Sequence, residues 1–565
     1  MNNSTSDQTG DALLAPSDIA DIANVSRAAV SNWRKRATDF PPPAAGTPER
    51  PLFDRAEVLV WLRANNKTVV DDPAIRVWSV LNIVRDAGIT PDAVSEALLT
   101  LACARKLCDQ APTVASPWRE IRKAVRVAGL GTLKHVGHTL DVPRWDEFVI
   151  VTDDMRRIPP PSADAVLDAL DSVDTDELAE VTDYALEKVA GIQIRKGVDQ
   201  GFTGSRVSKI LANLAGPEAS GTIYDPACGI GQALLQTVAV KNTRGDHAYG
   251  EIRRVVGHDI DPRALTAARQ RAYLHGVEIE LTRTDVLHED VDPHLKADVI
   301  VLEPPFGLRF ESGELADPRW RYGMPPRSSA DMAWIQHAVS HLAEGGRAYV
   351  VTPMGALARG GQDGRIRAEL ISRGCVEAVF GLPGKLLPHI STPLAVWVLC
   401  TPGENANPDR VLLVDGSKVE NPESQIYSWL GAHPGTEDLP VAVVHTEDLL
   451  ASNADLTPAR WLTLPQPDIT EVVELYAHGL AGVNEALDVV ARVERPVTGY
   501  TTDAPARVMN VGQLINQGVL EYRPGRVRRD DANDYIASRL IEARDVRDRN
   551  LPDPDENLNV ANDAA

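Results

Sequence analysis

The stretch Ala297-Asp298-Val299-Ile300-Val301-Leu302-Glu303-Pro304-Pro305-Phe306-Gly307 decides the fold. Its apolar, β-branched run reads as a buried strand of a parallel sheet. Proline cannot donate to a strand ladder, so the strand must stop at Pro304-Pro305. In α/β sheets, ligands bind at the carboxyl ends of strands. This end offers an acidic acceptor, Glu303, rigid backbone carbonyls and one flat ring, Phe306. That set suits an exocyclic amine on a planar base. Taken alone, it is no more than a strand followed by a Pro-Pro turn.

The residues upstream add to it. Thr222-Ile223-Tyr224-Asp225-Pro226-Ala227-Cys228-Gly229-Ile230-Gly231 reads as a short strand entering a glycine turn, with a helix from about Gln232 to Val240. Gly229 and Gly231 let backbone approach a ligand, and the helix opens with free N–H groups. The third glycine of the dinucleotide fingerprint is missing. Val255-Val256-Gly257 predicts a second strand, ending at His258-Asp259, where a carboxylate commonly takes ribose hydroxyls. Leu281 to Leu287 predicts a third strand, with Asp285 at its end. One acid at a strand end is most often a helix cap. Four polar strand ends in this order point to one ligand site along one edge of an α/β sheet.

At these residues the chain resembles the amino-methyltransferases of adenine in DNA, and more closely the modification subunit of type I restriction systems. Asp225 to Gly231 is similar to that family's first motif, with Ile230 where a small hydroxyl residue or glycine is usual. Asp259 matches its ribose acid and Asp285 its adenine-contacting acid. Phe202-Thr203 matches an aromatic-Thr-Pro element, with Gly204 in place of the proline. Asp331 to His337, Gly345 to Pro353, Ile366-Arg367 and Val379 to Pro383 also fall in place, so the match covers roughly residues 195–465. The resemblance implies a Rossmann-like, class I S-adenosylmethionine-dependent methyltransferase domain. It implies a cofactor pocket of Phe202, Thr203, Asp225, Pro226, Ala227, Gly229, Gly231, Asp259 and Asp285. It implies a catalytic loop of Glu303, Pro304, Pro305 and Phe306. Double-stranded DNA is the implied partner, with a specificity or restriction subunit beside it.

The family has asparagine, or sometimes aspartate, where this chain has Glu303. An adenine amine is a poor nucleophile because its lone pair is delocalised into the ring. Hydrogen bonds to a side-chain oxygen and to the Pro304 carbonyl would localise that pair, and Phe306 would stack on the flipped base. Glutamate accepts the same bonds but is one methylene longer, and a misplacement of about 1 Å can cost on the order of a hundredfold. Three outcomes stay open: a working variant, a slow enzyme, or a fold that binds without reacting.

The chain has 565 residues, enough for three or four domains. Its five cysteines form no metal-like pairs, so no metal is expected. Cys103 and Cys108 lie in an apolar helical stretch and read as core. No signal peptide or membrane-spanning run is found, so a cytoplasmic protein is expected. The net charge of −22 is awkward for a DNA-binding protein, but useful charge can be local.

The amino terminus supplies a local site. Ala15 to Ala23 predicts a short helix capped near Ser17. Asn24-Val25 makes a turn, and Ser26 caps a second helix over Arg27–Arg36. This spacing resembles a helix-turn-helix. Ser26, Arg27, Ser31, Asn32, Arg34, Lys35 and Arg36 would face phosphates and base edges, over a core of Ile19, Ala23, Val25, Val30 and Trp33. The proline-rich segment from Phe40 to Phe53 suits a wing, and Asp54 caps a helix to about Asn65. The competing reading is a small helical docking domain.

The expected domains are a winged helix-turn-helix over 1–69, a helical domain over 70–195, the methyltransferase domain over 196–465, and a last segment over 466–565. In the helical domain, Leu178, Val181, Ala185 and Val189 form a core stripe and Pro159-Pro160-Pro161 marks a linker. The last segment reads as a long helix over Ile469–Arg495, then a partial target-recognition-like piece with Arg523, Arg526, Arg528 and Arg529, then a disordered acidic tail. The expected function is methylation of adenine in DNA within a restriction or phage-defence system. Two alternatives stand beside it: a catalytically impaired DNA-binding regulator or scaffold, and a methyltransferase acting on a protein glutamine.

Overall fold

In the computed structural model, residues 13–462 are described except 24, 38, 48–49, 66, 68–72, 87, 112–115, 196–204, 245–248, 312–316, 385 and 388–391. Beyond them only 477, 480 and 481 are described. The chain divides into two units, 1–466 and 467–565, and every element below lies in the first. The expected helix over Ile469–Arg495, the arginine cluster and the acidic tail lie almost wholly outside the described residues.

Alternating apolar residues build a small winged unit first. It runs β1 (Leu13–Leu14), α1 (Pro16–Ile22), α2 (Arg27–Arg36), β2 (Ala45–Thr47), β3 (Arg50–Asp54) and α3 (Arg55–Ala64). β2 and β3 pair antiparallel with Gly46 opposite Pro51, a hairpin inside the segment Phe40 to Phe53, and β1 adds to the far side of β3. Ile19, Ala23, Val30, Phe53 and Val58 are buried at its centre, with Val25 and Trp33 packed on them. Ser26 accepts from the Ala29 N–H and Asp54 from the Glu57 N–H, so both act as N-caps. The first helix opens at Pro16, and the Asp18 carboxylate accepts from the Ala15 N–H at 2.8 Å, closing that end.

A helical layer follows: α4 (Pro73–Asp86), α5 (Pro91–Gln110), α6 (Pro117–Ala128), α7 (Leu133–Thr139), α8 (Trp145–Phe148), α9 (Asp153–Arg156), α10 (Pro160–Asp171) and α11 (Leu178–Arg195). Cys103, Cys108, Leu178, Val181, Ala185 and Val189 are buried in its core, as expected. Pro159-Pro160-Pro161 is no linker. Proline lacks only an N–H that the first helical turn leaves unused, and these prolines open α10.

The remaining chain forms a nine-stranded sheet ordered β12-β11-β9-β10-β8-β7-β4-β5-β6. The strands are β4 (Gly221–Asp225), β5 (Ile252–Asp259), β6 (Glu280–Arg283), β7 (Ala297–Leu302), β8 (Leu342–Pro353), β9 (Val376–Gly381), β10 (Leu394–Leu399), β11 (Arg410–Asp415) and β12 (Val441–His445). Around them lie α12 (Ser205–Ala215), α13 (Gln232–Arg244), α14 (Pro262–His275), α15 (Asp331–Ser340) and α16 (Gly361–Ser372). β4 to β8 run parallel to one another, and β10 is antiparallel to both β8 and β9. The chain steps outward from β4 to β5 and β6, then returns to lay β7 on the other side of β4. β4 and β7 therefore flank the point where strand order reverses, the place where open α/β sheets bind ligands. Asp298 aligns this pair, accepting from the Thr222 N–H at 2.7 Å. Gly221, at φ +61°, leaves room for that carboxylate, since a Cβ there would lie 1.9 Å from its oxygen.

Candidate active site

Register sets the depth of each predicted residue. Asp225, the last residue of β4, pairs with Gly257, so Asp259 lies two residues further out on β5. Asp259 pairs with Arg283, so Asp285 lies two residues further again, past the end of β6. On the other side, Tyr224 pairs with Ile300, which puts Glu303 two residues beyond the level of Asp225. At roughly 3.3 Å per residue, each step is about 7 Å. The four acids thus form a shallow fan on one edge of the sheet. The third strand is shorter than predicted. It stops at Arg283 because the Asp285 carboxylate turns back to accept from the N–H groups of Leu287 and His288, at 3.1 and 3.3 Å.

The glycine turn is tied to the neighbouring strand. Cys228 N–H donates to the His258 carbonyl at 2.9 Å, and Gly229 N–H donates to Asp259 Oδ2 at 2.8 Å. Asp259 Oδ1 accepts from the Asp261 N–H, so the carboxylate is fixed at both oxygens. Gly229 and Gly231 hold φ of +53° and +75°, where a side chain would strain the backbone. Asp225 is buried and accepts from the Ala227 N–H at 3.0 Å. Burial pushes its carboxyl up to about 8, against the pull of that bond, with Asp259 adding to the rise. Pro226 is buried, Ala227 half-buried and Asp285 exposed. Phe202 and Thr203 lie outside the described residues. Left-handed glycines, a half-buried carboxylate already oriented by two N–H groups and an exposed acid beyond it fit a ligand that is part nucleoside and part amino acid.

Across the switch point, Glu303 is only 8% exposed and its Oε2 accepts from Ser208 Oγ of α12 at 3.3 Å. Pro304 is buried, Pro305 exposed, and Phe306 half-buried against the core beneath α12. Ser208 was not legible in the sequence, because nothing local marks it as facing a residue on another strand. Beneath the sheet edge a polar cluster joins Tyr224, His258, His337 and Arg319, all buried, which sequence reasoning also missed.

At the other end of the chain, Asn32, Arg34, Lys35 and Arg36 are exposed on α2 and Ser31 is half-buried. Ser26 is exposed as well, and the Arg27 side chain lies outside the described residues. The Arg34 guanidinium sits 5.2 Å from the Phe53 ring, so the wing steadies the helix's basic end. Among the described residues no helix is long and apolar enough to cross a membrane.

This sheet order and this glycine turn define a class I S-adenosylmethionine-dependent methyltransferase fold. Residues 173–427, from the end of the helical layer through most of the sheet, match the family model described as N-6 DNA Methylase. The chain is 27% identical over 254 residues to the HindI methylase subunit, a type I restriction enzyme subunit of Haemophilus influenzae, covering 43% of this chain and 55% of that one. It is 23% identical over 374 residues to the EcoKI methylase subunit of Escherichia coli, covering 60% and 69%. The methyltransferase subunit of a Streptococcus thermophilus type I restriction-modification system has a solved structure of the same fold. Its TM-score is 0.57 at 18% identity, and the superposition covers 69% of this chain and 99% of that one. The chain spans about half the length of several curated relatives it matches, 55% and 44% in two of them.

Proposed function

We propose that the protein transfers a methyl group from S-adenosylmethionine to the exocyclic amine of adenine in DNA, as the methylase subunit of a restriction system. The observation that carries this reading is the flanking of the switch point by Asp225 and the Glu303-Pro304-Pro305-Phe306 loop. The cofactor supplies an electrophilic methyl group. Asp225, Pro226, Ala227, Gly229, Gly231, Asp259 and Asp285 would hold it, together with Phe202 and Thr203. Glu303 would accept one amine hydrogen and the Pro304 carbonyl the other, localising the nitrogen lone pair. Ser208 supports this role by holding the longer glutamate side chain at one oxygen. Phe306 would stack on a base withdrawn from the duplex, an interaction worth about 1–3 kcal/mol.

The winged unit would supply the DNA contact outside the reaction site. Asn32, Arg34, Lys35 and Arg36 stand exposed on α2 beside the β2–β3 wing, the layout of a helix entering the major groove. By the names of its relatives, the chain would work with further subunits of a type I system.

The test is to incubate the purified protein with labelled S-adenosylmethionine and DNA and to digest the DNA for methyladenine. Wild type should yield N6-methyladenine. Phe306→Ala should lose it while binding S-adenosylmethionine as before. Methyl transfer that survives the loss of Phe306 would place the target base elsewhere.

A further inference from the structure

α14 is gripped from both sides. On one side Gly231 of the cofactor turn packs against it, its Cβ position 3.4 Å from the Ala268 side chain. On the other, the helical layer holds it: Lys106 donates to the Tyr273 and Leu274 carbonyls at 3.1 and 2.7 Å, and Gln270 donates to the Phe148 carbonyl at 2.7 Å. One side chain of α14 reaches both sides. Arg271, 1% exposed, donates from Nη1 to the Ile230 carbonyl inside the glycine turn at 2.9 Å. From Nε it donates to Asp183 of α11 at 2.8 Å. Asp183 also takes His275 Nε2 at 3.0 Å. Burial alone would raise the Asp183 carboxyl, but Arg271 and His275 hold it well below the usual carboxylate range.

This is a costly way to fill a core. Arg271 Nη2 is buried with no acceptor among the described residues. A buried charge with an unmet donor is destabilising compared with a well-packed apolar side chain. What the arginine supplies is reach: its planar fork spans two partners in fixed directions, which lysine cannot do.

We infer that Arg271 is a positioning residue for the cofactor turn, holding the Ile230 carbonyl so that the turn's shape, and hence cofactor affinity, depends on Asp183 in the helical layer. The turn must present its backbone N–H groups in one arrangement, and a turn ordered before the cofactor arrives loses less entropy on binding. Among the described residues, Asp183 has no hydrogen bond or ion pair with the proposed cofactor residues. Its hydrogen-bonded route to the turn runs through Arg271. The inference rests on reading Asp225 to Gly231 as the cofactor turn.

Two measurements on the full chain test it. In wild type, saturating S-adenosylmethionine should slow hydrogen exchange in the peptide 178–189 around Asp183 as well as in 226–232. Calorimetry should then show Arg271→Lys and Asp183→Asn each weakening S-adenosylmethionine binding by about tenfold, the scale of one charged hydrogen bond. In the double variant Arg271→Lys/Asp183→Asn the two effects should not add, because both break the same chain of hydrogen bonds. Thermal midpoints recorded alongside separate a fall in stability from a fall in affinity. Protection confined to 226–232, or folded variants with wild-type affinity, would overturn the inference while leaving the cofactor reading intact. A wild type that binds no S-adenosylmethionine would sink the cofactor reading itself, and this inference with it.

Discussion

Asp225 carries the most unusual charge state in the site. Its carboxyl, pushed up to about 8 by burial, holds a proton at neutral pH in the free protein. The folded state thus keeps a proton that the unfolded chain releases near the ordinary value of 3.8. Between those values stability must fall as pH rises, because the unfolded state binds fewer protons. Asp225→Asn removes the titration. Its thermal midpoint should match wild type near pH 4 and exceed it increasingly towards pH 8. Parallel midpoint curves would mean that Asp225 ionises freely. The same proton matters for the proposed cofactor, whose amino acid end carries an ammonium group. If that cation is placed near Asp225, its binding should expel the proton, and calorimetry at pH 7 in two buffers of different ionisation enthalpy would count it. Proton release absent from wild type would separate the ammonium from Asp225.

At the scale of elements, the strand ends are coupled from below. Arginine only donates, so Arg319 Nη1, at 3.0 Å, makes His337 Nδ1 an acceptor. The His337 proton then sits on Nε2 and points to Tyr224 Oη, at 3.1 Å. That leaves the Tyr224 hydroxyl proton available for His258 Nδ1, at 3.0 Å. One chain of bonds therefore joins α15, β4 and β5, and Arg319 fixes the tautomer of His337. His341 stacks on Tyr224 and bonds Asp290. Burial drives His258, His337 and His341 all below the histidine value of 6.5, His341 to about 3, with Lys296, Arg319 and His258 adding to the push on His341. The unfolded chain takes up these protons near 6.5 while the native state refuses them, so stability falls as pH drops through that window. His341→Phe keeps a ring on Tyr224 and removes one titrating group. It should reduce the slope of stability against pH between 6.5 and 4 by about 1.4 kcal/mol per unit; an unaltered slope would exclude His341. None of this cluster was legible in the sequence, since its members come from four separate segments. The strand ends were legible because hydrophobic runs mark parallel strands and Pro-Pro marks where one stops. Boundaries failed where a local feature overruled the pattern: Asp285 ends β6 early, and the prolines expected to form a linker open α10. Ser26 and Asp54 were legible as caps because an N-cap is a local event.

At the scale of the molecule, a net charge of −22 makes any affinity for DNA depend on where the positive charge lies. The basic end of α2 is one such place. Changing Arg34, Lys35 and Arg36 together to alanine should weaken DNA binding and flatten the plot of log affinity against log salt by about 0.9 for each phosphate no longer neutralised. An unchanged slope would assign α2 to protein docking instead. The winged unit is not hung on a tether. Ile75 of α4 is buried in its core, and Tyr184 of α11 packs against both that core and the helical layer. A reading head bolted to its frame works as a ruler. If α2 grips DNA, the adenine brought to Glu303 should lie at a constant number of base pairs from the sequence that α2 covers. Moving that adenine by about five base pairs, half a helical turn, should carry it to the opposite face of the duplex and out of reach, whereas a full turn would change only its distance.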